Sequence, residues 1–138
     1  MQNREIEILV VEDNAADARL LKEALIDTRL PHRICRSVDG EDAINYLRER
    51  RDEGSGRFPN VIVLDLNMPK VNGHQFLKLL NTETGLPEIP VIVLTVSQDE
   101  EDVIQALQYG MNFYLRKPPS AVNIGPILER VVSLWAKA

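Results

Sequence analysis

The chain has 138 residues, 44% hydrophobic and 27% charged, which fits one soluble globular domain large enough for a real core. Its formal charge of −5 argues against a surface built mainly for nucleic acid, and no apolar run approaches the roughly 20 residues that cross a bilayer. One cysteine, Cys35, and no signal peptide at the start point to a reducing, cytoplasmic setting.

Glu5–Val11 is the first predicted strand, alternating at its start and continuously apolar at its end. It runs into Glu12-Asp13-Asn14, two carboxylates and a capping residue. A first helix follows from about Ala15 to Arg29, with Ala18, Leu21, Ala24, Leu25 and Thr28 on one face, and Pro31 stops it. A less apolar second strand, around Arg33 to Val38, belongs near a sheet edge. Asp39-Gly40 turns the chain into a second helix with Ala43, Ile44 and Leu47 inward. The mixed charges of Arg48–Arg57 read as a solvated helix end and flexible loop rather than a basic patch.

Val61-Ile-Val-Leu runs unbroken into Asp65-Leu-Asn-Met-Pro69, the pattern of a strand buried on both faces of a parallel sheet. Ligand crevices in such sheets lie at the carboxyl ends of the strands, where Asp65 stands. Alone, that aspartate fits equally well as the cap of the next turn. Lys70–Gly73 leads into a third helix with Phe76, Leu77 and Leu80 as core. Val91–Thr95 is again continuously apolar and ends in a hydroxyl. Ser97 and Glu100 fit the start of a fourth helix, which runs to about Tyr109 and stops at Gly110. The strand Phe113–Arg116 delivers Lys117-Pro118-Pro119. The last helix runs from about Val122 to Trp135, with Pro126 expected in its first turn.

Five strands alternating with five helices predict an α/β, flavodoxin-like, doubly wound parallel sheet of order 2-1-3-4-5. Residues 1–138 then form one domain, with no output domain after the last helix. Strands 1 and 3 lie side by side, which gathers Glu12, Asp13 and Asp65 at one rim, with Thr95 and Lys117 arriving from strands 4 and 5. Clustered carboxylates repel, and one of them would take up a proton unless a cation coordinates their oxygens. Mg2+ suits such a set, since it accepts one or two carboxylates and keeps several waters. A lysine ammonium and a threonine hydroxyl around a nucleophilic carboxylate are what phosphoryl transfer asks for.

Glu12-Asp13, Asp65 within Leu-Asp-Leu-Asn-Met-Pro, Thr95 and Lys117-Pro118 resemble the five-position signature of response regulator receiver domains, over nearly the whole chain. The intervals from Asp65 to Thr95 and Lys117 are similar to those of the single-domain chemotaxis receiver. The resemblance implies that Asp65 accepts a phosphoryl group from a phosphohistidine of a sensor histidine kinase. It implies that Glu12, Asp13, Asp65 and the backbone carbonyl of Asn67 hold Mg2+, and that the peptide bond before Pro118 is cis. Tyr114 matches the family's switch aromatic, which turns inward as Thr95 moves toward the phosphoryl group; by itself it also reads as a half-buried strand residue. A narrower similarity, through Thr95-Val-Ser97, Tyr114 to Pro118 and Leu134-Trp135, is to small regulators paired with bacterial and cyanobacterial phytochromes.

Two departures stand out. Val96 occupies a position where the family more often has alanine, glycine or serine, and a β-branched side chain there would narrow access to Asp65. The segment between Asp13 and Asp65 is longer than in the chemotaxis receiver, with Arg48–Arg57 absorbing the excess. Such a chain is a phosphorylation-dependent switch acting through protein contacts, not a turnover enzyme, although it assists its own phosphorylation and dephosphorylation.

Three other readings compete. An aspartate-nucleophile phosphatase needs a second aspartate where Asn67 stands. A flavodoxin-like nucleotide binder needs a Gly-rich phosphate loop after the first strand. The third is a receiver-like adaptor working without phosphate. His32 and His74 have no ligand-like spacing and read as surface or loop residues, and Cys35 as a packed strand residue. The apolar stripe Ile124, Ile127, Leu128, Val131, Val132, Leu134, Trp135 is wider than one core face requires; it fits a helix well buried on the sheet or, the reading favoured here, a homodimer through the last helix with helix 4 and strand 5 beside it.

Overall fold

Alternation along the strands explains the architecture. In the computed structural model, which describes residues 5–66, 72–96 and 99–135 and no side chain of residues 134 and 135, successive strand residues bury into two separate cores. Leu9, Val11, Ile62, Leu64, Val91 and Val93 pack on one face with Ala43, Ile44, Leu47, Phe76, Leu77 and Leu80. Ile8, Val10, Val61, Val63, Ile92 and Leu94 pack on the other with Leu21, Leu25, Ile124, Leu128 and Val131. A strand that must feed both faces has no polar position to spare, so the central strands read as unbroken apolar runs.

The elements are β1 (Ile6–Val11), α1 (Ala15–Asp27), β2 (His32–Ser37), α2 (Gly40–Glu53), β3 (Val61–Leu64), α3 (Gly73–Thr82), β4 (Val91–Thr95), α4 (Glu100–Gln108), β5 (Phe113–Arg116) and α5 (Ala121–Trp135). All strand pairs are parallel, in the order β2-β1-β3-β4-β5, as the sequence predicts. β2 is an edge strand, and its half-exposed pattern follows from that. Two asparagines extend the ladder below the strands. Asn60 gives its N–H to the Glu7 carbonyl and takes the Glu7 N–H on its side-chain oxygen, both at 2.8 Å. Asn112 makes the same exchange with Val91 at 2.9 and 2.8 Å. Each side chain stands in for a missing ladder partner.

Three details differ from the sequence reading. α4 begins at Glu100 with Asp99 as its cap, the Asp99 carboxylate accepting from the Glu101 N–H at 3.0 Å; Ser97 lies outside the described residues. A carboxylate caps as well as a hydroxyl does, so the pattern alone left the choice open. Pro126 sits in the second turn of α5, not the first. It cannot supply the N–H that the Val122 carbonyl would take, and because Val122 is 86% exposed, water can serve instead. Lastly, the charges of Arg48–Glu53 lie inside α2, and its three arginines are bound in tertiary ion pairs. Arg48 grips the Glu83 carboxylate with Nε at 2.5 and Nη2 at 2.8 Å, and Arg51 joins at 3.1 Å. The Arg48 hydrogen bonds first, then those of Arg51, lower the Glu83 carboxyl from 4.5 to about 2. Those bonds tie α2 to the end of α3.

Behind the third strand, the first residue of α3 comes against the backbone. A Cβ on Gly73 would fall 2.5 Å from the Leu66 Cα and 2.7 Å from the Asp65 carbonyl oxygen. The Gly73 N–H bonds the Leu66 carbonyl at 3.1 Å, so glycine is required here by contact. Gly73→Ala must push that backbone aside. Urea denaturation of this variant is expected to show a loss of about 1–3 kcal/mol, the range for overpacking, and an unchanged midpoint would mean that α3 moves freely relative to β3.

Candidate functional site

The sheet order places β1 and β3 next to one another, with Val11 opposite Leu64. The residues that follow them, Glu12 and Asp65, therefore emerge side by side, and the Asp65 N–H bonds the Val11 carbonyl at 3.1 Å. Asp13 follows at the same rim. One carboxylate oxygen from each of Glu12, Asp13 and Asp65 lies within 4.8 Å of the others. Glu12 and Asp65 are buried and Asp13 is exposed. Arg36, from the edge strand, fixes this acidic turn by its backbone: Nε and Nη2 donate to the Glu12 carbonyl at 3.1 and 2.9 Å, and Nη2 to that of Asp13 at 3.3 Å.

Lys117 arrives from β5. Its N–H bonds the Thr95 carbonyl at 3.0 Å, which continues the β4–β5 ladder one residue past Arg116. Its side chain crosses the rim with 9% exposure, and Nζ sits 2.6 Å from Glu12 Oε1, 2.8 Å from Asp17 Oδ2 and 3.2 Å from Asp65 Oδ2. Three ammonium protons face three carboxylates. Burial alone would lower the lysine's affinity for its proton, but the bonds to Asp17 and Glu12 and the charge of Asp65 outweigh it, and the group is held above its ordinary value. Glu12 moves up as well, to about 7: burial is the main cause, the Asp65 charge adds to it, and the Lys117 bond opposes it. Burial and a like-charged neighbour both disfavour the ionised form of Glu12.

Thr95 ends β4 fully buried. Tyr114, opposite Val93 in the ladder, is half-buried against the core on the α2–α3 face. The Lys117–Pro118 peptide bond is cis. Val96 is 63% exposed, at the rim next to Thr95. The Asn67 carbonyl lies outside the described residues. So Glu12, Asp13, Asp65 and Lys117 come together, with Thr95 joined to Lys117 through the backbone. Neither histidine joins them: His32 Nδ1 meets the Leu30 carbonyl at 2.6 Å, and His74 Nε2 lies 3.3 Å from Asp102 on α4. Cys35 packs half-buried against the core.

Sequence reasoning missed Asp17 and Arg36. Asp17 carried one signal, an acid in the first turn of the helix that leaves the acidic rim. Arg36 carried none, because its partners are main-chain carbonyls. The donor set itself, three carboxylates with hard oxygen ligands, fits a divalent cation. A broad groove between α1 and β2, lined by Val10, Ala18, Ile26 and Ile34, lies away from these groups. An exposed rim suffices for a donor that brings its phosphate with it.

Removing the ammonium would leave carboxylates without their counter-charge. Lys117→Met is expected to lower stability in chelator at neutral pH by about 3 kcal/mol, the low end for breaking a buried pair because Asp17 reaches water. A divalent cation should restore part of the loss, and equal urea midpoints for the variant and the unaltered chain would rule out that role for the lysine.

The family described as the response regulator receiver domain matches residues 8–129. Response regulator Rcp1 of Synechocystis sp. is 35% identical over 128 residues, covering 93% of this chain and 87% of that protein. Its Mn(2+)-bound crystal structure superposes with a TM-score of 0.73 at 35% identity over 94% of each chain. The phosphorylated cyanobacterial phytochrome response regulator RcpA gives 0.77 at 33% identity, over 96% of this chain and 95% of that one. The bacteriophytochrome response regulator AtBRR gives 0.80 at 30% identity over 96% of both.

Proposed function

Because this chain belongs to the response regulator receiver domain family and is a two-component response regulator, we propose that Asp65 accepts a phosphoryl group from a sensor histidine kinase. The observation that carries the assignment is the Lys117 ammonium 3.2 Å from the Asp65 carboxylate, inside a set of carboxylates fit for a cation. One Asp65 oxygen attacks phosphorus, forming a P–O bond. The P–N bond to the donor imidazole breaks, and its electron pair leaves with the imidazole. Lys117 is placed to meet a phosphoryl oxygen, and the Thr95 hydroxyl to donate to another. Glu12, Asp13, Asp65 and the Asn67 carbonyl would hold Mg2+, which when bound neutralises charge between the carboxylate and the phosphoryl oxygens. Water later attacks phosphorus, the P–O bond to Asp65 breaks with its electron pair on the carboxylate, and inorganic phosphate leaves. Val96, exposed at the rim, limits how readily donors and water reach it.

The signal leaves through a protein surface. Thr95 and Tyr114 stand on neighbouring strands, so a shift of Thr95 toward the phosphoryl group and of Tyr114 inward would reshape α4, β5 and α5. The likeness to phytochrome response regulators supports a phytochrome as the donor kinase, and a cytoplasmic location with it. The same surface supports a homodimer. Ile124, Leu128 and Val131 face the core, while Ile127 and Val132 are half-buried and Ile104, Leu107 and Val122 exposed.

Intact mass after incubation with Mg2+ and a small phosphodonor tests the chemistry. One added phosphoryl group is expected on the unaltered chain, dependent on Mg2+ and absent from Asp65→Asn. No adduct from either a small donor or a phosphorylated histidine kinase would favour an adaptor that works without phosphate. For the assembly, sedimentation at micromolar concentration should reveal a dimer, and a monomer both with and without phosphorylation would overturn it.

A further inference from the structure

Two of the three carboxylates that hold the Lys117 ammonium also belong to the set fit for a cation. Glu12 and Asp65 offer oxygens to both, and a divalent ion would draw those oxygens toward itself. Asp17 is different. It bonds Lys117 Nζ at 2.8 Å yet stands outside that set.

Its position is also fixed independently of the rim strands. Asp17 lies in the first turn of α1, and its N–H donates to the Asn14 side-chain oxygen at 3.0 Å. Leu21 and Leu25, further along that helix, are buried in the core between the sheet and α5. The lysine side chain is 9% exposed and its Asp17 partner 35%, so the pair sits where the ammonium is mostly shielded and the carboxylate still meets water. But for Asp17, a shielded ammonium that lost Glu12 and Asp65 to a cation would have no partner left among the described residues, an arrangement that is costly in general. It would swing out to solvent, away from Asp65.

We propose that Asp17 is the positioning residue for Lys117, the partner among the described residues that keeps the ammonium at the Asp65 carboxylate when a cation engages Glu12 and Asp65. This rests on the receiver reading above and deepens it. Asp17 does not touch the phosphoryl group. It fixes where the lysine proton donors lie, and it does so from α1, an element that carries none of the family's signature residues.

The test compares the unaltered chain with Asp17→Asn and Asp17→Glu, using acetyl phosphate as donor at Mg2+ concentrations saturating for each. Two readouts are taken: the maximal rate and apparent KM of phosphorylation, and the Lys117 ammonium resonance in protein labelled with 15N-lysine. For Asp17→Asn the maximal rate should fall about tenfold, less than the roughly 100-fold that a 1 Å misplacement can cost. KM should change little, and the ammonium signal should broaden or vanish through faster exchange with water. Asp17→Glu should restore both in part, which a merely structural defect would not do. An unchanged or increased rate in Asp17→Asn with an unchanged ammonium signal would overturn the proposal. An unaltered chain that takes no phosphoryl group from acetyl phosphate or from a phosphorylated histidine kinase would instead defeat the phosphoacceptor reading, and the ammonium signal would still decide the role of Asp17.

Discussion

A buried ammonium among carboxylates is the interaction on which the rim of this molecule depends. Without Lys117, Glu12, Asp17 and Asp65 would face one another with no positive side chain among the described residues beyond the Arg36 guanidinium, which is spent on backbone carbonyls. With it, the rim is neutralised only in part. The rise of Glu12 to about 7 comes mainly from burial, with the Asp65 charge adding to it and the Lys117 bond opposing it. The donor set of such a site fits a divalent cation, and the site holds the lysine beside the Asp65 carboxylate.

The sheet makes this arrangement unavoidable. Parallel strands all end at one rim, and adjacency of β1 and β3 brings Glu12 and Asp65 together although more than fifty residues separate them. The strands themselves are spent on packing. Every residue of β3 is buried, and alternate residues serve opposite cores. Chemistry is therefore confined to the first residues past each strand, where the backbone is still held by the ladder. Asp65 bonds Val11 and Lys117 bonds Thr95 in this way, so the reactive side chains sit on main chain as rigid as the sheet.

That confinement is also why so much was legible in the sequence. A run of four aliphatic residues followed by a polar one marks both a doubly buried strand and its functional end, so order, topology and the acidic rim followed from pattern. What escaped the pattern depended on partners distant in the chain. Asp17 looked like a helix-start acid, and only the fold brings Lys117 to it from a hundred residues away. The charges of Arg48–Glu53 looked like a solvated helix end because sequence cannot show that Glu83 waits opposite. Pro126 was misplaced by one turn because Ser120 was not read as the cap of α5: its hydroxyl accepts from the Asn123 N–H and the Asn123 side chain accepts from the Ser120 N–H, which starts the helix at Ala121. Gly73 read as a turn residue, yet its reason is a contact with Leu66 and Asp65 that periodicity does not encode.

The two ends of the sheet handle polar groups in opposite ways, and the contrast bears on function. At the amino ends, Glu7 is met by Tyr46, Arg33 and Arg50, and these partners lower its carboxyl despite the burial that opposes them. Glu83 is likewise met by two arginines. There each buried or half-buried acid has more donors than it needs, and the network fastens α2 to β1 and α3. At the carboxyl ends the balance reverses, with more acids than cations among the described residues. A fold that satisfies its acids at one end has the means to do so at the other. Electrostatic tension kept at a single rim, on the most rigid main chain available, is what a binding and phosphoryl-accepting site needs, and its cost is borne by the two cores beneath it.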